Sequence, residues 1–208
     1  MNNPKIILLG AGGHCHSCID VIEQEGVYEI AGIVDRPGTL RDNTILGYSL
    51  LGSDDDLPEI RKEIDYALIT VGQIGSASVR IKLYNLLKEM GFALPVIISP
   101  FAHVSRFANI GGGTIVMHQT MVNAGARVGV NCILNTRCLI EHDAIIGDHT
   151  HISTSAVING NAAIGSRCFL GSNATVVNGA VLPDDYFFRA GRLIISENDG
   201  HSIIEGEK

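Results

Sequence analysis

The chain lacks any excess of positive charge: 15 Lys and Arg stand against 22 Asp and Glu, a formal net charge of −7 over 208 residues. A general nucleic-acid binder would need the opposite balance, so that class is set aside. Also missing is any apolar run near the roughly 20 residues of a membrane-spanning helix, and Met1-Asn2-Asn3-Pro4-Lys5 has no signal-peptide core. The expectation is a cytoplasmic protein with neither nucleic-acid nor membrane partners. Five cysteines are too few and too irregularly spaced for a disulfide framework. Cys15 and Cys18 form a C-x-x-C compatible with redox or metal chemistry, but with Ile19 and Ile22 they also make the i, i+3, i+4, i+7 stripe of a helix, and packing is the favoured reading.

What the chain has is a period. From Val104 to Ile194 an aliphatic or aromatic residue returns at every sixth position, through Ile110, Val116, Val122, Val128, Leu134 and onward. Four places later in each hexad a small residue recurs, as at Ala108, Thr114, Ala126, Cys132, Cys138, Ala144 and Cys168. Neither a helix of period 3.6 nor a strand of period 2 generates this spacing, so it belongs to a repeat architecture. Every third hexad is nearly identical: Ile110-Gly111, Val128-Gly129, Ile146-Gly147 and Ile164-Gly165. Three hexads per coil predict a triangular prism of short parallel strands, with coils stacked about 4.8 Å apart and aliphatic residues filling the axis. Glycine beside the aliphatic position removes a side chain where backbones crowd. These hexads resemble those of the hexapeptide-repeat acyltransferases, and a left-handed coil is what that resemblance implies.

Ahead of the hexads, Lys5 to Leu9 reads as a strand running into Gly10-Ala11-Gly12-Gly13-His14, then an amphipathic helix to about Glu25 and a second strand from Glu29 to Val34. Turn amides and a helix N-terminus in this arrangement can hold a phosphate. Cys15 stands where the dinucleotide fingerprint wants a third glycine, which argues against a nicotinamide cofactor. Asp35, at the end of the second strand, is placed to accept from ribose or base, or else is a solvated strand end. Residues 36–47 read as turn-rich, Asp54-Asp55-Asp56-Leu57 as a helix start, Tyr66 to Val71 as a strand and Ser76 to Met90 as a helix with Val79, Leu83, Leu86, Leu87 and Met90 inward. Leu94 to Ile98 is expected to complete a small parallel sheet, with Ser99-Pro100 as the boundary.

One hexad is out of character. Ile140-Glu141-His142-Asp143 places an imidazole between two carboxylates, the requirements of a general base near neutral pH. His142 is the candidate base; adjacency does not choose between Glu141 and Asp143 as the group that orients it. His118 reads as surface or intersubunit packing and His149 as solvated. His151 is within sequence reach of the same groove as a neutral donor, and Asn135 is either a turn-stabilising amide or a substrate donor. Histidines on such a prism are also similar to those of the gamma-class carbonic anhydrases, but the spacing of His142, His149 and His151 lacks that family's close pair, so no metal is expected.

Taken together, Gly10 to His14, Val71-Gly72 with Arg80, and Asn135-Thr136 through Glu141-His142-Asp143 to His151-Ile152-Ser153 resemble the sugar acetyltransferases that include bacillosamine-type UDP-4-amino-sugar N-acetyltransferases and sialic acid O-acetyltransferases. The resemblance spans roughly residues 4–193. It implies an α/β Rossmann-like N-terminal domain with a small parallel sheet (1–99), a left-handed parallel β-helix (100–195) and a polar tail (196–208). It further implies acetyl transfer from acetyl-CoA to a nucleotide-activated amino sugar in bacterial surface-glycan biosynthesis, by a homotrimer with active sites between subunits. Gly12, Gly13, His14, Asp35, Arg36, Gly52, Ser53, Gly72 and Asn135 would hold the nucleotide-sugar. His142, aided by Asp143, would deprotonate the amine, and His151, Gly160, Ser172 and Ala190 would line the acetyl-CoA groove. Phe188-Arg189-Ala190-Gly191-Arg192 departs from the family's regular closing segment at the adenine end of the coenzyme. Sugar O-acetylation is the rival reading, and a non-catalytic nucleotide-sugar scaffold is the alternative from another class.

Overall fold

The computed structural model describes residues 3–36, 38 and 44–196, and the backbone of 201–202. Much of the turn-rich stretch after Arg36, and the Ile203-Ile204 pair of the tail, lie outside the described residues. The N-terminal unit opens with β1 (Lys5–Leu9), α1 (Gly13–Glu25) and β2 (Glu29–Val34). Helix α1 ends where Gly26 adopts a left-handed conformation and its N–H bonds to Ile22 O. A short hairpin of β3 (Thr44–Ile45) and β4 (Tyr48–Gly52) leads to a 3-10 turn over Asp54–Asp56 and α2 (Leu57–Ile60), then β5 (Tyr66–Ile69) and α3 (Ser78–Glu89). The sheet order is β3-β4-β2-β1-β5. Because β3 pairs antiparallel with β4 while the other pairs are parallel, the sheet is mixed rather than wholly parallel.

The expected last strand of that sheet is elsewhere. Only Ile97–Ile98 is extended (β6), and it pairs with Ile115–Val116 as the first rung of the solenoid. Two aliphatic residues beside a proline-containing segment carry no signal for which sheet they join. From there the chain winds through three faces per coil. The first face stacks Ile97–Ile98, Ile115–Val116, Ile133–Leu134, His151–Ile152, Phe169–Leu170 and Tyr186–Phe188, with His201–Ser202 added antiparallel at the end. The second runs from His103–Val104 to Leu193–Ile194 and the third from Asn109–Ile110 to Val181–Leu182. All the solenoid's other pairs are parallel and offset by eighteen residues, as between Leu139 and Val157.

The physical reasons follow the hexad. Its aliphatic positions and its small residues, including Cys132, Cys138 and Cys168, form one axial column, buried from Val116 onward and partly buried at Val104, Ala108 and Ile110 in the first coil. Each buried large aliphatic side chain contributes on the order of 1.5–3 kcal/mol. Corners are turned by residues with φ near +60°, among them Asn131, Arg137, Asp143 and His149. Gly147 is needed because a Cβ there would meet Ser166 N at 2.5 Å and Gly165 C at 2.6 Å, both backbone atoms of the next coil.

The N-terminal unit sits on the first face. Cys15, Cys18, Ile19 and Ile22 of α1 share a buried cluster with Ile97, Ile115, Met117 and Ile133, so the C-x-x-C is packing. Burial raises the pKa of both thiols.

Candidate functional site

The turn between Leu139–Ile140 and Ile145–Ile146 forms part of the edge joining the second and third faces. Asp143 there is in the left-handed region, with φ 60°, which an Asp tolerates better than most residues. That conformation turns its carboxylate back, and Oδ2 lies 2.9 Å from Nδ1 of His142. Since a carboxylate only accepts, Nδ1 carries the proton and Nε2 presents its lone pair. Glu141 is otherwise engaged: its Oε2 accepts from the His142 backbone N–H at 3.2 Å and from Asn123 Nδ2 at 2.9 Å. Geometry therefore selects Asp143, not Glu141, as the partner of the imidazole. Nε2 faces the next coil at Gly160, where a Cβ would come within 2.6 Å of it. The pair is open to solvent, with side chains 55% and 60% exposed.

A second feature is a cleft of about 460 Å³ at the C-terminal ends of β1, β2 and β5, lined by Gly10, Ala11, Gly12, Val34, Asp35, Arg36, Asp54, Gly72 and Lys82 among others. Asp35 holds its shape: Oδ2 accepts from Ala11 N–H and Oδ1 from Arg36 N–H, both at 2.6 Å. Its own N–H donates to Gly52 O at 3.1 Å, which ties Gly52 and Ser53 to the same strand ends. A crevice outside the carboxyl ends of parallel strands, fronted by a glycine turn and a helix N-terminus, is the place where open α/β sheets can take a ligand and where turn amides can meet a phosphate.

Between the two units lies a buried polar network. Arg80 is 1% exposed and donates to Ile69 O, Val71 O, Asn131 O and Asn131 Oδ1. Desolvation lowers its pKa to about 10. Gln73 Nε2 donates to His149 O and Cys168 O, and Gln73 O accepts from His151 Nδ1 at 2.5 Å. His151 Nε2 then accepts from Asn135 Nδ2 at 3.2 Å. Burial, with Arg80 adding, lowers His151 to about 4 and His14 to about 3, so both rings are neutral. His14 Nε2, Gln73 Oε1 and Arg80 Nε are buried without a partner among the described residues.

These placements correct several sequence expectations. His151 is on the first face, under the N-terminal unit, with both ring nitrogens bonded within the chain; it does not share the edge of His142. Asn135 is its partner there. His149 is not solvated: it is half-buried, bonded through Nδ1 to Asn131 and edge-on to Tyr84, and burial lowers its pKa. His118 spans the two units, bonded to Asp20 and Ser99. Val79 is 53% exposed and its neighbour Arg80 is the inward residue. Ser172 and Ala190 lie at the edge joining the first and second faces, where Ser172 Oγ meets Ser153 Oγ at 3.1 Å. Gly160 alone of the four expected coenzyme residues is beside His142. Sequence reasoning missed Lys82, Asp54 and Asn178; the last stands two coils beyond His142, at twice the eighteen-residue period, and that period was the signal. Among the described residues no three or more His, Cys, Asp or Glu side chains are grouped to hold a metal, and no helix is long and apolar enough to cross a membrane.

A prism of hexapeptide coils, an oriented imidazole on its edge and a nucleotide-type cleft define a hexapeptide-repeat transferase with a Rossmann-like N-terminal domain. A family model described as the PglD N-terminal domain matches residues 5–87, and one described as bacterial transferase hexapeptide (six repeats) matches residues 143–178. PerB from Caulobacter crescentus, solved with CoA and GDP-perosamine, is 29% identical with a TM-score of 0.85, over 93% of this chain and 89% of that one. The acetyltransferase domain of PglB from Neisseria gonorrhoeae FA1090, solved with acetyl coenzyme A, is 27% identical with a TM-score of 0.85, over 97% of this chain and 100% of that one. The Caulobacter perosamine N-acetyltransferase has also been solved with one histidine replaced by asparagine or by alanine. The chain carries a PglD N-terminal domain and bacterial transferase hexapeptide repeats, is similar over nearly its full length to these acetyltransferases, and its solenoid is a left-handed parallel β-helix.

Proposed function

We propose that this protein moves the acetyl group of acetyl-CoA onto the amino group of a nucleotide-activated amino sugar, with His142 as general base and Asp143 holding it in the reactive tautomer. The observation that carries the reading is the Nδ1–carboxylate contact of 2.9 Å that leaves Nε2 free to face Gly160. The amine must be neutral to attack, the thioester is already activated, and what remains is positioning and removal of one proton. The Gly160 backbone at the same spot is suited to the developing oxyanion. PerB with CoA and GDP-perosamine and PglB with acetyl coenzyme A support this choice of substrates. In this reading the nucleotide lies along Gly12, Gly13, Asp35 and Arg36, with Gly52, Ser53 and Gly72 beside it. His151, buried, and His14, whose Nε2 is buried, are both neutral and shape the floor between the units.

In a triangular prism the edge bearing His142 lies opposite the first face, where the N-terminal unit packs. One chain therefore holds its cleft and its base on opposite sides. A homotrimer with active sites between subunits resolves this, setting the base of one chain against the cleft of its neighbour, with Ser172 and Ala190 on the neighbour's adjoining edge along the coenzyme. The strips flanking His142 support it, since Met121, Ile145, Val181 and Leu193 are exposed apolar residues there.

The test is release of CoA thiol with a panel of UDP-, GDP-, dTDP- and CMP-linked sugars, amino and non-amino. An amino sugar should be turned over, and His142→Ala should lower kcat by about 10²–10⁴-fold. Near-normal turnover by that variant refutes the assignment, and preference for hydroxyl sugars would favour O-acetylation.

A further inference from the structure

Along the edge of His142 the eighteen-residue period stacks three turns, and the residues in register are His142, Gly160 and Asn178. Over the bare α-carbon of Gly160, His142 Nε2 and Asn178 Oδ1 of the flanking coils approach the same point. A point at the Cβ position of Gly160 is 2.6 Å from the first and 3.0 Å from the second. Asn178 is exposed, and no hydrogen bond to its side chain is formed among the described residues. An amide left without partners, next to the nitrogen that takes a proton, is available to a ligand.

We propose that Asn178 makes the site selective for an amine over a hydroxyl acceptor by accepting the second N–H of the attacking group. This rests on the proposed acetyl transfer. A primary amine has two N–H bonds and one lone pair. With one N–H on His142 Nε2 and the other on Asn178 Oδ1, the lone pair is left to face the thioester carbonyl. The nitrogen forms a bond to the carbonyl carbon, whose π electrons move to oxygen, and the proton shared with His142 passes to Nε2. Collapse of the tetrahedral species breaks the C–S bond, and the departing thiolate takes that proton from the imidazolium. The other N–H is retained in the amide product and stays on Asn178 throughout. As positive charge builds on nitrogen in the transition state, the hydrogen bond to Oδ1 becomes charge-assisted, so it stabilises the transition state more than the bound substrate. A hydroxyl has one O–H, which His142 uses, and no second hydrogen for Asn178 Oδ1 to accept.

The test compares kcat and KM for the best amino sugar of the panel and for its hydroxyl counterpart, with the full chain, at the alkaline plateau where the amine is neutral. Asn178→Ala should lower kcat for the amine by about 10- to 100-fold, the loss expected of a hydrogen bond to a charged group. KM and the slow hydroxyl rate should change by less than about threefold, and Asn178→Asp, which keeps an oxygen at the same place, should restore most of the amine rate. An unchanged amine kcat in Asn178→Ala, or an equal fall for both acceptors, overturns the proposal. Should Asn178→Ala fail to fold, Asn178→Ser, whose shorter side chain withdraws the oxygen, is read by the same two criteria. Absence of any amino-sugar turnover by the unaltered protein overturns this inference together with the proposed function, whereas turnover indifferent to residue 178 overturns this inference alone.

Discussion

Replacement of Gly160 by alanine separates the site from the fold. The new methyl would lie 2.6 Å from His142 Nε2 and 2.7 Å from Cε1, against ordinary contacts of 3.4 Å or more, so the ring must retreat by about 0.8 Å. Nothing resists that retreat except its bond to Asp143, because the His142 side chain is 55% exposed. Gly160 is not among the residues of positive φ, so alanine fits its backbone. Stability should therefore change by less than about 1 kcal/mol, and a Gly→Ala gain in the unfolded chain partly offsets the crowding. Activity should suffer far more. A misplacement of about 1 Å costs on the order of 100-fold, or about 2.7 kcal/mol in the barrier. CoA thiol release at saturating substrates gives kcat, and thermal unfolding gives stability. A Gly160→Ala protein with kcat within about threefold of the unaltered one would show that Nε2 is not the reacting nitrogen.

Other outcomes follow from the same geometry. Asp143→Asn offers Nδ1 a donor, which shifts the proton to Nε2, and kcat should fall at least about 100-fold with the melting temperature unmoved; an active variant would remove Asp143 from the mechanism. Arg80→Met strips four hydrogen bonds from a residue 1% exposed. It should cost about 3–5 kcal/mol, lowering the melting temperature by about 10 °C, and an unchanged transition would refute the network's role. His14 and His151, held at about 3 and about 4 by burial first, are neutral in the fold, whereas unfolded histidines take up protons below about 6.5. The unfolded chain then binds more protons. Their contribution to stability is complete above pH 6.5 and is lost as pH falls toward 4, at about 1.4 kcal/mol per unit for each. His151→Gln should reduce that slope by about one proton between pH 6 and 4.5 in denaturant titrations, and an unaltered slope would contradict its burial as a neutral ring.

The solenoid was legible because its period is geometric. A six-residue return of aliphatic side chains has one structural solution, and the glycine beside every third aliphatic residue marks where a Cβ would strike the next coil. The limits of the strands Lys5–Leu9 and Glu29–Val34 were equally plain from apolar runs and a glycine turn. His142 stood out as the one ionisable cluster among small and aliphatic neighbours. What stayed hidden were contacts between residues far apart in the chain. The inward turn of Arg80 depends on Asn131, fifty-one positions later, and the ring orientation of His151 on Gln73, seventy-eight positions earlier. Leu94 to Ile98 was assigned to the wrong sheet because a two-residue strand has no pattern of its own.

By itself the sequence determined the coil and the columns on its edges, because an eighteen-residue period fixes which side chains stand above one another wherever the chain goes. His142, Gly160 and Asn178 are neighbours for that reason alone. Tertiary structure decided which face the N-terminal unit covers, and so which histidines are sealed in and which is left on an open edge. Docking depends on the surfaces of two units meeting, and no local spacing encodes that choice.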